Sequence, residues 1–141
     1  MILFGQKERV GDWVADRIGN TTPWHDYEAI GIERNGVLVG GVVIDNYIPQ
    51  ARCSVHCAGI GGKWLNRNFL FVVFDYAFRQ LQCNAVVNIV DGCNKASLKF
   101  TAHLGFSEVH RIKGGGKDGS DGVLFEMQKT DCKWIKPRNK Q

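Results

Sequence analysis

Three short stretches of this chain hold residues whose types and spacing could do chemistry. The first is Cys53, His56 and Cys57. Two thiols and an imidazole this close suggest zinc. On a strand, however, Cys53 and Cys57 point to one face and His56 to the other, which is poor tetrahedral geometry. The plainer reading is small apolar thiols, with no metal. The second stretch is Gly59-Ile60-Gly61-Gly62-Lys63, ahead of a strongly apolar segment. Glycine-bared amides followed by a helix N-terminus make an anion site, helped here by Lys63 and Arg67. It is not a dinucleotide fingerprint, because Trp64 stands where the third glycine belongs. The third stretch runs from Asn94, which can cap a helix, to Leu104-Gly105-Phe106, which can end one. The glycine-rich residues 113–122 offer less. No Ser or Thr follows Lys117, so they are not a phosphate loop, and they lack the acidic spacing of a calcium loop. They read as a flexible hairpin connection, able to act as a lid if a site lies near.

These stretches need elements to hold them. Residues 1–4 make a short first strand, and Val10, Trp13, Val14 and Ile18 form one face of a helix over Lys7–Ile18 that stops at Gly19. Residues 27–34, 37–45 and 51–58 read as three antiparallel strands, the first two joined by Asn35-Gly36. Gly40-Gly41 suggests a bulge in the second. Phe69, Leu70, Val73, Phe74, Ala77 and Leu81 then recur at helical spacing, with Asn66 as a plausible cap. The aromatics of this helix read as core. Residues 84–90, 106–112 and 123–128 are further strands, and a helix capped by Asn94 precedes the second of them. The order predicts one α/β domain with a mixed sheet and no internal repeat.

Composition narrows the function classes. A chain of 141 residues, 44% hydrophobic and 23% charged, suits one folded soluble domain. No apolar run reaches the ~18 residues of a membrane helix, and the N-terminus lacks a basic leader. Five cysteines, an odd number without Cys-x-x-Cys spacing, suit a reducing cytoplasm. The net charge of +4 hints at nucleic acid until it is located. Residues 129–141 carry five basic residues and one acidic, which accounts for the whole excess. The body is balanced and has no surplus with which to hold a polyanion.

The run Asn94-Lys95-Ala96-Ser97-Leu98-Lys99-Phe100-Thr101-Ala102-His103-Leu104-Gly105-Phe106 resembles the signature of the GNAT family of acyl-CoA N-acyltransferases. In that family an Asn after the fifth strand starts a helix that ends in Leu-Gly-Phe, and the phenylalanine starts the next strand. Ser97 is the small residue three places after the Asn, and Phe100 precedes the usual tyrosine. The spacing matches without a gap, and element order agrees from the first helix to Met127. The chain looks most similar to small GNAT-like proteins of tailed phages, which share the His56-Cys57-Ala58-Gly59 run and the Asp131-Cys132-Lys133-Trp134 ending.

The resemblance implies a GNAT fold over residues 1–128, with a mixed, mostly antiparallel sheet of about six to seven strands and three to four helices, followed by a basic tail over 129–141. It implies acetyl-CoA as co-substrate and an amine acceptor, small molecule or protein, that attacks the thioester directly. The strand carrying Cys57 and Ala58 would bond the pantetheine arm. The diphosphate would meet backbone amides in one of two registers. The first is His56-x-x-Gly59-x-Gly61, with Gly62, Lys63 and Trp64 following. The second has a helix starting after Asn66 and phosphates near Arg67 and Asn68, and it is preferred because Asn66 is a proper cap. Asn94 would contact the coenzyme near the thioester, with Ser97 and Phe100 on the same helix. Trp64 would pack over the coenzyme or staple the start of its helix.

Two departures from the family pattern concern the chemistry. Thr101 stands where the family often has a tyrosine that protonates the leaving thiolate, and no obvious base carboxylate is present. His56 is the candidate base, since an imidazole suits deprotonating an ammonium near neutral pH. A hydrogen-bonded structural histidine is the other reading. His25 and Asp26 could shape an acceptor site, whereas His103 and His110 read as surface. A catalytically inactive GNAT-fold protein with a structural or host-contact role in a phage is the alternative function, and nucleic-acid binding through the tail is the weakest. Last-strand pairing into a homodimer, as in many relatives, is compatible with the sequence.

Overall fold

The fold was analysed in a computed structural model that describes residues 1–62 and 64–136. The chain runs β1 (Ile2–Leu3), α1 (Lys7–Ile18), β2 (Glu28–Arg34), β3 (Val37–Ile48), β4 (Arg52–Gly59), α2 (Arg67–Asp75), β5 (Ala85–Asp91), α3 (Lys95–Leu104), β6 (Ser107–Ile112) and β7 (Gly122–Gln128). The seven strands form one sheet in the order β1-β2-β3-β4-β5-β7-β6. Every neighbouring pair is antiparallel except β4 and β5.

Local chemistry sets the boundaries much as the residue pattern predicts. Asn35 and Gly36 both take positive φ in the β2–β3 turn, the geometry for which this pair is suited. Gly19 and Gly105 end α1 and α3 in the left-handed region. Asn66 caps α2 by accepting from the Phe69 amide at 2.8 Å, and Asn94 caps α3 by accepting from the Ser97 amide at 3.1 Å. After Asp75 the helix widens into a π turn over Tyr76–Gln80, which the spacing of apolar residues did not reveal.

Gly40 and Gly41 serve packing on the two faces of the sheet. The register shift lies beside them, where Ile32 pairs with Gly40 and Glu33 with Leu38. A Cβ on Gly40 would come within 2.6 Å of the Trp64 ring, and one on Gly41 within 2.9 Å of both Val10 and Val14.

The sheet carries two cores. On one face, α1 lays Val10 and Val14 against Ala29, Leu38, Val43 and Ala58. On the other, Phe69, Val73, Phe74 and Phe78 from α2 and its π turn join Val42, Val55, Val86, Leu104, Phe106 and Phe125. The C-terminal segment also belongs to this second core. Cys132 and Ile135 are buried in it, and the Trp134 indole donates to the Leu104 carbonyl at 2.7 Å. The described part of the basic segment, residues 129–136, is thus docked on α2 and the end of α3. No helix among the described residues is long and apolar enough to cross a membrane.

Candidate functional site

The parallel pairing of β4 with β5 lasts only from Arg52–Ala85 to Cys53–Val86. Beyond it the strands part, because β5 stays paired with β7 along its whole length while β4 stays paired with β3. Asn88 bridges the start of the gap. Its Oδ1 accepts from the Val55 amide at 3.0 Å, and its Nδ2 donates to the Val55 carbonyl at 2.5 Å. One carboxamide thus replaces two ladder bonds. Strand periodicity of two directs the Cys57 N–H and C=O to the same side as those of Val55. Among the described residues, no side chain is hydrogen-bonded to them in the way that Asn88 is to Val55.

The gap leads into a cleft of about 650 Å³. Its walls bring together His56 and Cys57 from β4 with Asn94, Ser97, Phe100 and Thr101 from the capped start and middle of α3. Leu104 and Phe106 close it on the α2 side of the sheet, and residues 18–25, from the last residue of α1 onward, border it on the other. His25 is in that border; Asp26 is not among the lining residues. His103 and His110 are exposed outside the cleft.

His56 is held on two sides. Its Nε2 lies 2.8 Å from Oδ1 of Asp45 on β3. An ionised carboxylate only accepts, so this nitrogen carries hydrogen and Nδ1 is the one left to take a proton. The Trp24 ring packs on the imidazole at 5.1 Å between centroids, and Trp24 is itself tied to α1 by a 2.9 Å bond from Nε1 to the Gly11 carbonyl. Gly11 sits within a helix, where glycine costs about 1 kcal/mol relative to alanine. A Cβ there would lie 3.0 Å from Tyr27 and 3.3 Å from Trp24, so the position is kept small to admit these rings.

Cys57 lines the cleft, but burial pushes its thiol up to about 12, which leaves it protonated and a weak nucleophile at neutral pH. Cys53 faces the α2 core and is also pushed up by burial. Thr101 is buried and lines the cleft.

Several expected coenzyme residues lie outside the lining of this cleft. Ala58 is buried against the α1 core. Gly59 lies under Trp64, where an added Cβ would meet ring atom Cε2 at 1.9 Å. Trp64 is itself core, against Phe69 and Phe100. It spans the Gly40–Gly59 pair and staples the approach to α2. Gly61 and Gly62 border a separate groove with Arg34, Ile60 and Trp64. Arg67 and Asn68 begin α2 and line a third groove with Trp134 and Lys136. Helix α2 begins where the second register requires. Lys63 lies outside the described residues.

Among the cleft residues that escaped the sequence reading, Asn88, Asp45, Trp24 and Lys117 matter most to its geometry. Asn88 is a polar residue in the apolar run Val86-Val87-Asn88-Ile89-Val90, and that interruption was its signal. Asp45 follows the apolar run Val42-Val43-Ile44 with a carboxylate inside β3. Trp24 directly precedes His25, a candidate acceptor-site residue, but nothing in its own spacing marked it. Lys117 reaches the cleft because its loop is docked rather than loose. The Lys117 amide donates to Asp91 Oδ1 at 3.0 Å, and the Gly92 amide donates to the Asp121 carbonyl at 2.7 Å.

A mixed seven-stranded sheet whose fourth and fifth strands pair in parallel and then part over a cleft, with α1 on one face and α2 on the other, is the fold of the GNAT N-acetyltransferases. A variant of the spermidine N-acetyltransferase SpeG from Vibrio cholerae superposes with a TM-score of 0.75 at 14% identity, covering 96% of each chain. The protein yncA from Salmonella typhimurium, solved with its cofactor acetyl-CoA, gives 0.68 at 19% identity over 91% of this chain and 92% of that one. The N-acetyltransferase PseH from Campylobacter jejuni gives 0.57 at 16% identity over 73% and 68%. At these identities the likeness is one of fold. No protein-family model and no curated protein sequence matches the chain.

Proposed function

We propose that this protein is an acyl-CoA-dependent N-acyltransferase that moves acetyl from acetyl-CoA to an amine by direct attack. The observation that carries the proposal is the open edge of β4 between Val55 and Gly59, facing a cleft that also holds His56 and the start of α3. An extended amide-bearing arm such as pantetheine can add to that edge as a strand does. The Cys57 N–H and C=O offer it a donor and an acceptor. The diphosphate is assigned to the start of α2, where the Arg67 and Asn68 amides have no acceptor within the helix.

In this mechanism His56 takes a proton at Nδ1 from the acceptor's ammonium, directly or through one water, leaving a neutral amine to attack, while Asp45 holds the ring and supports the imidazolium that forms. The neutral amine nitrogen bonds to the thioester carbon, the carbonyl oxygen draws on β4 amides, and the adduct loses its second N–H proton to solvent as the C–S bond breaks. A thiol of pKa about 8.5 leaves readily as thiolate, so a strong acid is not needed. Thr101 donates a hydrogen bond to the departing sulfur, which then takes its proton from solvent. The spermidine acceptor named for SpeG supports an amine acceptor in general terms. Mass-spectrometric detection of acetyl transfer to a panel of amines tests the reading, with product expected from the wild type and reduced at least a hundredfold in H56A.

A second reading keeps the fold without turnover, as a structural or host-contact phage protein, and Thr101 at the tyrosine position favours it. That reading requires a folded protein to which acetyl-CoA adds no thermal protection.

A further inference from the structure

We propose that the docked C-terminal segment completes a binding site for a multiply phosphorylated ligand. Resting on the acyltransferase reading above, we take that ligand to be the 3′-phosphorylated nucleotide end of the coenzyme. The groove between α2 and this segment has a volume of about 550 Å³ and is lined by Arg67, Asn68, Phe71, Arg79, Trp134, Ile135 and Lys136. Three of these side chains are cations and none is an acid. The Arg67 guanidinium lies 5.8 Å from the Trp134 ring centroid, and the Lys133 ammonium lies 4.7 Å from the same ring. Among the described residues, neither Arg67, Lys133 nor Lys136 has an ion-pair partner. Arg79 alone is paired, with Asp75 at 3.2 Å.

The cations are placed by construction of the groove. Arg67 donates to the Lys133 and Lys136 carbonyls, each at 3.4 Å, and Arg79 donates to the Ile135 carbonyl at 2.9 Å. The Trp134 indole anchors the segment to the end of α3. Gathering like charges costs self-repulsion, which a polyanion relieves. The site gives the basic excess of the sequence a location and a ligand. Arg67 is shared with the diphosphate, while Lys136, with Lys133 behind Trp134, faces the 3′-phosphate.

Calorimetric titration of acetyl-CoA, its 3′-dephospho form, S-acetylpantetheine and adenosine 3′,5′-bisphosphate into wild type and K133A/K136A tests the inference, with thermal unfolding as the folding control. We expect wild type to bind acetyl-CoA at least tenfold tighter than the 3′-dephospho form and to bind the bisphosphate alone. In K133A/K136A both preferences should shrink to within twofold, leaving S-acetylpantetheine unchanged. Equal binding of acetyl-CoA by the folded variant and wild type, or no 3′-phosphate preference in wild type, overturns the inference. Bisphosphate binding without any acetyl-CoA binding would sustain the anion site and sink the acyltransferase reading.

Discussion

Asn88 and Val55 meet where β4 and β5 part, and one carboxamide satisfies both peptide groups of Val55. The relationship converts a sheet defect into a cleft. Without it, two partly buried polar groups would face the gap unpaired, or the strands would zip further and close it.

The first prediction concerns that bridge. Asn88→Leu removes donor and acceptor together and strands both Val55 groups. Leaving buried polar groups unpaired costs about 1–3 kcal/mol. Urea unfolding should report a loss of about 2 kcal/mol, and acetyl-CoA affinity should fall with it. Asn88→Asp should also destabilise, because a carboxylate cannot donate to the Val55 carbonyl. A loss below about 0.5 kcal/mol in both variants would contradict the bridge.

Gly59 is small because Trp64 occupies the space above it. Gly59→Ala should therefore cost about 3 kcal/mol through overpacking. Trimming the ring with Trp64→Leu should make the same substitution nearly neutral in a double-mutant cycle, since the two residues touch. If Gly59→Ala is equally costly in both backgrounds, the glycine answers to something other than the indole.

Elements with local signals were legible in the sequence. Asn35-Gly36, the caps Asn66 and Asn94, and the stops Gly19 and Gly105 each express their chemistry within a few residues. The candidate site was legible only in part. His56, Asn94, Ser97, Phe100 and Thr101 do converge on the cleft. Asp45 and Trp24 join His56 from 11 and 32 positions away, contacts fixed by strand register and by the turn after α1. The glycines from Gly59 onward read as an anion loop because glycine marks close approach of any kind. At Gly59 the close neighbour is a tryptophan, a contact that only the packed structure shows.

The alkaline limb of stability should carry the mark of the buried thiols. Burial pushes the folded Cys57 thiol up to about 12, from an ordinary thiol value of about 8.5. The folded state therefore holds its proton where the unfolded chain has lost it. This contribution is intact below about pH 8.5 and is lost as pH rises toward the folded value, at up to about 1.4 kcal/mol per pH unit. Cys57→Ala should flatten the fall of unfolding free energy between pH 9 and 11. An unchanged slope would contradict the assignment.

The dyad makes a separable kinetic prediction. His56→Ala should lower kcat by about 10² to 10⁴, the usual worth of a general base. Asp45→Asn should lower kcat about tenfold and reshape the pH–rate profile, because an amide can hold either tautomer. KM for acetyl-CoA should stay within twofold in both. Thr101→Val should cost less than about tenfold in kcat, as a lost hydrogen bond rather than a lost acid. A rate loss in Thr101→Val equal to that in His56→Ala would reverse these roles.

Binding of acetyl-CoA at the β4–β5 gap underlies every functional statement above, and amide hydrogen exchange of the wild type with and without saturating acetyl-CoA tests it most directly. The account predicts strong added protection at Cys57 on β4 and at the first turn of α2, with little change at Ala58, whose amide faces β3, or in α1. Saturation at a hundred times Kd should also raise stability by about 2.7 kcal/mol. No protection at Cys57 and no stabilisation at millimolar acetyl-CoA would contradict the account.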